Sequence, residues 1–399
     1  NTTGSAFNMN LPAGVAGAIV SVADYAATWQ TNNVTVVPNG TDKIGSLNEN
    51  ATLNTEGQSV TFVYVDSTQG WINTMDSTSN VRGRPPFICA SVSGACNTLV
   101  TAPDCANVKI ATFTGPGNFT VNSVGGCAPN NIVSYMVIAG GAGGTGAYGG
   151  GGGAGGFREG KSPVTPYTAS PLNAPTGLSV TAQTYPITVG AGGFGAATSQ
   201  AIRGGNGNDS IFSSIISTGG GGGGSGTSPP TTPIAPGAPG GSGGGGGGLG
   251  PASITGGSGN TPPVSPPQGS VGGDATAPGA GYSSAGGGGA GTAGASNPNS
   301  GAPVAGTAGG NGVTTLISAS PVAYAGGGGG GAWCNTGGAG GTGGGGAGGS
   351  DSSANPDAQN GTTNLGGGGG GGRSCAGPGP INSGANGGSG IVIIRYKFQ

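Results

Sequence analysis

Gly366-Gly367-Gly368-Gly369-Gly370-Gly371-Gly372 decides how this chain is read. Similar runs fill 219–224, 243–248 and 326–331, with shorter ones at 149–153, 286–289 and 343–346. Stretches rich in Pro, Ser, Thr and Asn separate them. A flexible linker shares this composition, but two apolar strands bracket the array. Tyr135-Met136-Val137-Ile138-Ala139 opens it and Gly390-Ile391-Val392-Ile393-Ile394-Arg395-Tyr396 closes it. Strands at opposite ends of one domain are natural neighbours in a sheet.

Glycine suits one kind of core. The polyproline II helix has three residues per turn, rises about 3.1 Å per residue and makes no internal hydrogen bonds. Its N–H and C=O groups therefore need partners on neighbouring segments. When the residues are glycine, such helices approach from all sides and pair backbone to backbone, aided by Cα–H···O contacts. A Cβ at an interior position would push neighbours apart. The entropy lost by ordering glycine is offset only by many simultaneous contacts. Collagen is excluded, because no Gly-X-Y period exists. The expected fold class is an all-β N-terminal module plus a polyglycine/polyproline II helix bundle, a sandwich with essentially no α-helix.

Composition narrows the function. The 399 residues hold 100 Gly and 29 Pro, only 6% are charged, and His is absent. Ordinary chains carry roughly 7% Gly and roughly 25% charged residues. Without His, the usual acid–base chemistry and His metal ligation fall away, and an abundance of Ser finds no His to activate it. Ten unclustered Lys and Arg cannot neutralise a phosphate backbone, so no nucleic-acid partner is expected. No apolar run reaches the ~20 residues of a membrane span, so no membrane insertion is expected. Gly141-Ala142-Gly143-Gly144-Thr145-Gly146 matches GxGxxG, but the glycines that follow cannot open the helix a pyrophosphate needs. No enzyme, cofactor or metal site is expected. The chain opens on Asn1 rather than Met, consistent with a longer N-terminal part.

Glycine placement sets the domains: 13 of the 100 lie in 1–138 and 87 in 139–399. Residues 1–80 alternate with period two in 18–25, 33–37 and 59–65 and read as a small all-β module closed at Gln69-Gly70-Trp71-Ile72. Pro38-Asn39-Gly40 supplies a turn. So thin a sheet has little core, which favours association of several chains. Residues 81–134 read as a Cys-containing insert with linker strands, and 135–399 as the glycine bundle. Cys89, Cys96, Cys105 and Cys127 lack zinc-site spacing. They read as a paired-thiol framework of open connectivity, or else as unpaired buried thiols. With Cys334 and Cys375 they make six, consistent with an oxidising, extracellular setting.

Ala23-Asp24-Tyr25, Thr31-Asn32-Asn33-Val34-Thr35-Val36 and Val63-Tyr64-Val65-Asp66-Ser67-Thr68-Gln69-Gly70-Trp71 resemble the β modules of marine bacteriophage tail fibres. The array resembles the glycine-rich adhesin domains of those fibres, which pack polyglycine II helices in a layered sandwich. That likeness rests on 135–144, 187–193, Tyr324-Ala325-Gly326 with its run, and 387–396. It implies a virion protein outside the cell, a homotrimer through the N-terminal module, contacts with other tail proteins, and distal loops that bind a host surface protein or glycan. A structural virion fibre or capsid decoration without receptor contact is the alternative, and a secreted ice-binding or cell-wall protein a more distant one.

Reversing direction at each spacer gives ten segments, beginning with 135–156 and ending with 387–396. This threading gathers Phe157, Arg158, Lys161, Tyr167, Tyr282, Trp333 and Arg373 at one free tip, opposite the N-terminal module and the C-terminus. Arg203 and Asp351 fall at the other end. Exposed aromatics with Arg are frequent recognition anchors; alternatively Phe157 and Trp333 cap the ends of the rods. Cys334 and Cys375 also fall at the tip and are expected to form a disulfide.

Overall fold

Alternation of apolar and polar residues sets the strands of the first unit, Asn1–Gly83. In the computed structural model, β1 (Phe7–Asn10), β3 (Val34–Val37) and β4 (Ala51–Leu53) form one sheet. β2 (Ile19–Ala23), β5 (Ser59–Tyr64) and β6 (Trp71–Ser77) form another. Val34, Val36, Val60, Phe62, Trp71 and Trp29 fill the core between them. The closing strand runs on to Ser77 instead of ending at Ile72. The buried Asp24 carboxylate accepts the N–H groups of Thr28, Trp29 and Gly57, each at 3.1 Å. Burial opposes its charge, and these bonds outweigh burial, so its pKa lies below the usual value.

The structure describes residues 2–77, 87–197, 202–226, 235–248, 253–276, 282, 284–298, 303–351, 357–373 and 383–399. Helix is limited to the 3₁₀ turn Ala128–Asn131 among them, so the protein is all-β.

The second unit, Arg84–Gln399, absorbs the expected insert: its strands complete the glycine domain instead of linking to it. They are β7 (Cys89–Ser93), β8 (Thr98–Ala102), β9 (Cys105–Phe113) and β10 (Gly117–Ser123), followed by β11 (Ile132–Ile138), β12 (Phe157–Gly160), β13 (Asn173–Ala174) and β14 (Leu178–Ser179). Next come β15 (Thr184–Thr188), β16 (Ser210–Phe212), β17 (Ile215–Ser217), β18 (Val313–Thr315), β19 (Val322–Tyr324) and β20 (Ile391–Lys397). One sheet has the order β17-β16-β15-β10-β7; the other runs β13-β12-β11-β20-β9-β8, with β14 also on β11. The bracketing strands β11 and β20 pair antiparallel, Ile138 opposite Ile391 and Ser134 opposite Arg395. Their stretches 135–138 and 391–394 are apolar on both faces because both faces are covered. Val133, Tyr135, Val137, Val392 and Ile394 pack with Phe119, Tyr185 and Phe212 of the other sheet. Met136, Ile138, Ile391 and Ile393 pack under Val313, Ile317 and Tyr324.

Beyond this sandwich the chain runs back and forth as straight glycine-rich segments. Those parallel to β11 are 139–147, 190–197, 219–226, 242–248, 268–275, 292–297, 325–333, 345–351 and 366–373. Those running back are 149–156, 202–209, 235–241, 253–259, 284–290, 304–312, 336–342, 357–362 and 383–390. The described residues thus trace nine segments each way, where the spacers had implied five. The difference is physical: a glycine run reverses without a spacer. Tyr148 turns 135–156 into a hairpin, with Ala142 N–H on Gly153 and Thr145 N–H on Gly150.

Hydrogen bonds follow the threefold screw. Along 139–147 the donors go in turn to Asn208, Gly388 and Gly153, then to Gly205, Ala385 and Gly150. Its carbonyls accept in turn from Gly220, Gly193 and Gly369, then from Gly223, Ala196 and Gly372. Each third residue meets the same neighbour, so six segments surround this one. That is the pairing expected of polyglycine II. The interior is not purely glycine, however. Ala139, Ala142 and Thr145, three apart, share one side of the screw and are buried. A Cβ on Gly141 or Gly144 would instead fall on the Gly367 or Gly370 carbonyl.

Candidate functional site

Alternation gives the bundle two ends: the strand end, where β7–β20 lie, and the far end, where segments parallel to β11 finish. Tyr148 follows segment 139–147 in a left-handed conformation, φ 55°. Tyr282 precedes 284–290, Trp333 ends 325–333, Asp351 ends 345–351 and Arg373 ends 366–373. All five stand at the far end because each marks the close or start of a segment there.

They form one cluster. The Tyr282 ring lies 5.1 Å from that of Tyr148 and 3.8 Å from that of Trp333, tilted against both. Arg373 Nη1 pairs with Asp351 Oδ1, and Asp351 Oδ2 accepts the Cys334 N–H at 2.8 Å. Both charged side chains are largely buried. Tyr282, Trp333 and Arg373 are half-buried. Trp333 Nε1–H and Arg373 Nε–H are buried donors without an acceptor. The site offers aromatic surface, a neutralised guanidinium and two unspent donors, and among the described residues no cluster of metal-ligating side chains.

The structure corrects the rest of the expected tip. Phe157, Arg158, Lys161 and Tyr167 lie at the strand end, because the hairpin at Tyr148 returns the chain there before residue 157. Phe157 is buried beside Met136 and Ile138. Arg158 Nη1 donates to the Ile216 carbonyl at 3.3 Å. The Lys161 ammonium sits 5.3 Å from the centre of the Tyr167 ring. Arg203 and Asp351, expected opposite the tip, both belong to the far end, Arg203 being exposed at the start of 202–209.

Beneath the strand-end loop lies a buried polar floor. Glu159 accepts the Ser170 N–H at 2.9 Å and the Thr315 hydroxyl at 2.6 Å. Arg395 is fully buried, pairs with Asp104 at 2.9 Å and lies 5.2 Å from the Tyr167 ring centre. Burial, and secondarily the Glu159 charge, holds the Tyr167 hydroxyl far above the usual tyrosine range.

Cysteine usage also differs from expectation. Cys89, Cys96, Cys105 and Cys127 are free thiols, so the paired framework does not form. Cys89 and Cys105 open separate strands whose positions the ladders fix, and Cys96 sits in the turn between β7 and β8 with φ 62°. Cys334 is disulfide-bonded; its expected partner, Cys375, lies outside the described residues.

With this geometry in view, a family model for the glycine-rich domain matches residues 113–397. The chain belongs to that family. The match begins at the end of β9 and ends in β20, so the glycine-rich domain includes the two bracketing strands and every segment between them. No curated protein matches the chain. Sequence reasoning missed Tyr148 and Asp351 in this domain. The signal for Tyr148 was its bulk: it is the one large residue between Ala139 and Gly156, where a screw of small residues must turn.

Proposed function

We propose that this chain is a bacteriophage tail-fibre adhesin, carried on the virion outside the cell, whose glycine-rich domain binds a host surface protein or glycan through its far end. It acts by attachment and not by catalysis. The first unit joins copies of the chain, as a trimer by the tail-fibre likeness, and contacts other tail proteins. One observation carries the reading. Tyr148, Tyr282, Trp333, Asp351, Arg373 and the bonded Cys334 come together at the end of the domain away from β7 and β20, where the domain's own chain enters and leaves. Aromatic and Arg side chains grouped in this way are the usual anchors of recognition, and a cross-link limits the conformations lost on binding. The bundle beneath them is tied at nearly every residue, which fixes their spacing.

The test is retention of fluorescently labelled protein on a panel of bacterial cells. Trp333→Ala and Arg373→Ala should each weaken retention roughly 30-fold, the effect of a ~2 kcal/mol hot spot. Arg158→Ala at the strand end should leave it unchanged. Loss on Arg158→Ala with no loss at the far end contradicts the assignment. No retention on any cell favours a structural fibre or decoration protein.

A further inference from the structure

The strand-end loop that the recognition cluster leaves aside has its own depression, of about 450 Å³. Ligand sites commonly span ~300–1,000 Å³. Lys161, Ser162, Pro163, Asn173, Pro175 and Thr176 line it. We propose that this depression binds a neutral sugar unit, a site separate from the far end and independent of the adhesin reading.

Three features argue for it. First, the loop is built before any ligand arrives. Ser162 N–H donates to Ser134 Oγ at 2.8 Å, Ser134 Oγ meets Thr165 Oγ1 at 2.6 Å, and Glu159 holds the Ser170 N–H. A lining fixed by buried hydrogen bonds loses little entropy on binding. Second, the lining is mixed in the way a pyranose requires. Pro163 and Pro175 are exposed apolar rings that suit the C–H face of a sugar. The Lys161 ammonium and the exposed Thr176 hydroxyl offer donors and an acceptor, and Asn173 Oδ1 has no partner in the protein. Third, the local net charge is zero. Lys161 is the one charged residue of the lining, and behind it lie the buried Glu159 carboxylate and the Arg395–Asp104 pair. Two of these groups are cationic and two anionic, so no excess charge favours an ionic ligand. What remains to be recognised is hydroxyl groups.

The experiment is calorimetric titration of the full chain with methyl glucoside, galactoside, mannoside and N-acetylglucosaminide, and with methyl glucuronide as the charged comparison. At least one neutral glycoside should bind, and the glucuronide should bind no better. Lys161→Met keeps an unbranched apolar side chain and removes the donors; combined with Thr176→Val it should weaken binding roughly tenfold. Unchanged thermal unfolding confirms that the variants are folded, and Arg203→Ala at the far end should bind as the parent does. The proposal is overturned if no neutral glycoside binds at ten times the ~1 mM that marks a weak site. It is equally overturned if the double variant binds as well as the parent, or if the glucuronide alone binds.

Discussion

Replacing Gly144 with Ala adds one methyl group where the screw has no room for it. The new Cβ would fall on the Gly370 carbonyl and 2.9 Å from the Gly371 nitrogen, both backbone atoms of segment 366–373. Neither can rotate away, so the two segments must part. Their separation endangers the bonds from Gly369 N–H to Ala142 at 2.9 Å and from Gly372 N–H to Thr145 at 2.7 Å. Two such bonds contribute about 1–3 kcal/mol, and overpacking adds about 1–3 kcal/mol. Against this, Ala restricts the unfolded chain and returns about 0.4–1 kcal/mol. The net loss is about 2–5 kcal/mol, or a fall of roughly 4–10 °C in unfolding temperature for a domain of this size. Gly115→Ala is the control: its Cβ would meet nothing nearer than the Ala95 carbonyl at 3.8 Å, so that variant should match or slightly exceed the parent. Differential scanning calorimetry of both variants reads the difference. Equal unfolding temperatures for the two would refute the close-packed screw.

Thiol titration of the denatured, unreduced chain should count four thiols, those of Cys89, Cys96, Cys105 and Cys127, and six after reduction; a count of zero before reduction would restore the paired framework. Burial, followed by the Glu159 charge for Tyr167 and the Cys89 charge for Tyr396, raises both hydroxyls above the usual 10.0. The folded state therefore holds these protons more tightly, so their contribution is intact below pH 10 and is lost as pH rises beyond it. Thermal unfolding followed above pH 10 should fall less steeply for Tyr167→Phe with Tyr396→Phe than for the parent. The first unit exposes Ile19 (66%) and Met75 (68%) on one sheet; if that face joins copies, Ile19→Ser with Met75→Ser should shift the full chain toward monomer in sedimentation, and an unchanged oligomer would place the contact elsewhere.

The bracket was legible because both ends of it are unusual. Runs such as Tyr135–Ile138 and Ile391–Ile394, apolar at every position, require burial on two faces, and the structure supplies both. Strands β2, β3 and β5 followed from simple alternation. The course of the bundle was harder to read, because glycine carries no side-chain pattern. The reversal at Tyr148 has no Pro- or Asn-rich spacer, and one missed hairpin moved Phe157, Arg158, Lys161 and Tyr167 to the wrong end. Trp333, Tyr282 and Arg373 kept their places, since each adjoins a run long enough to be counted as one segment. Asp351 was misplaced because the stretch 337–349 holds a second reversal at 342–344, and two segments were read as one. The bulk of Tyr and the isolated charge of Asp351 were the local marks available, and both are now part of the far-end cluster.

Backbone pairing of glycine on all sides is the central claim, and amide hydrogen exchange read by mass spectrometry tests it most directly. In segments 139–147, 149–156 and 366–373 the N–H groups donate to neighbouring carbonyls mostly at 2.7–3.2 Å, although no helix or pleated sheet is present there. Peptides covering these glycines should exchange as slowly as those of β11 and β20, because opening them requires the bundle to come apart. Exchange at the rate of an unstructured glycine chain, with β11 and β20 still protected, would contradict the account.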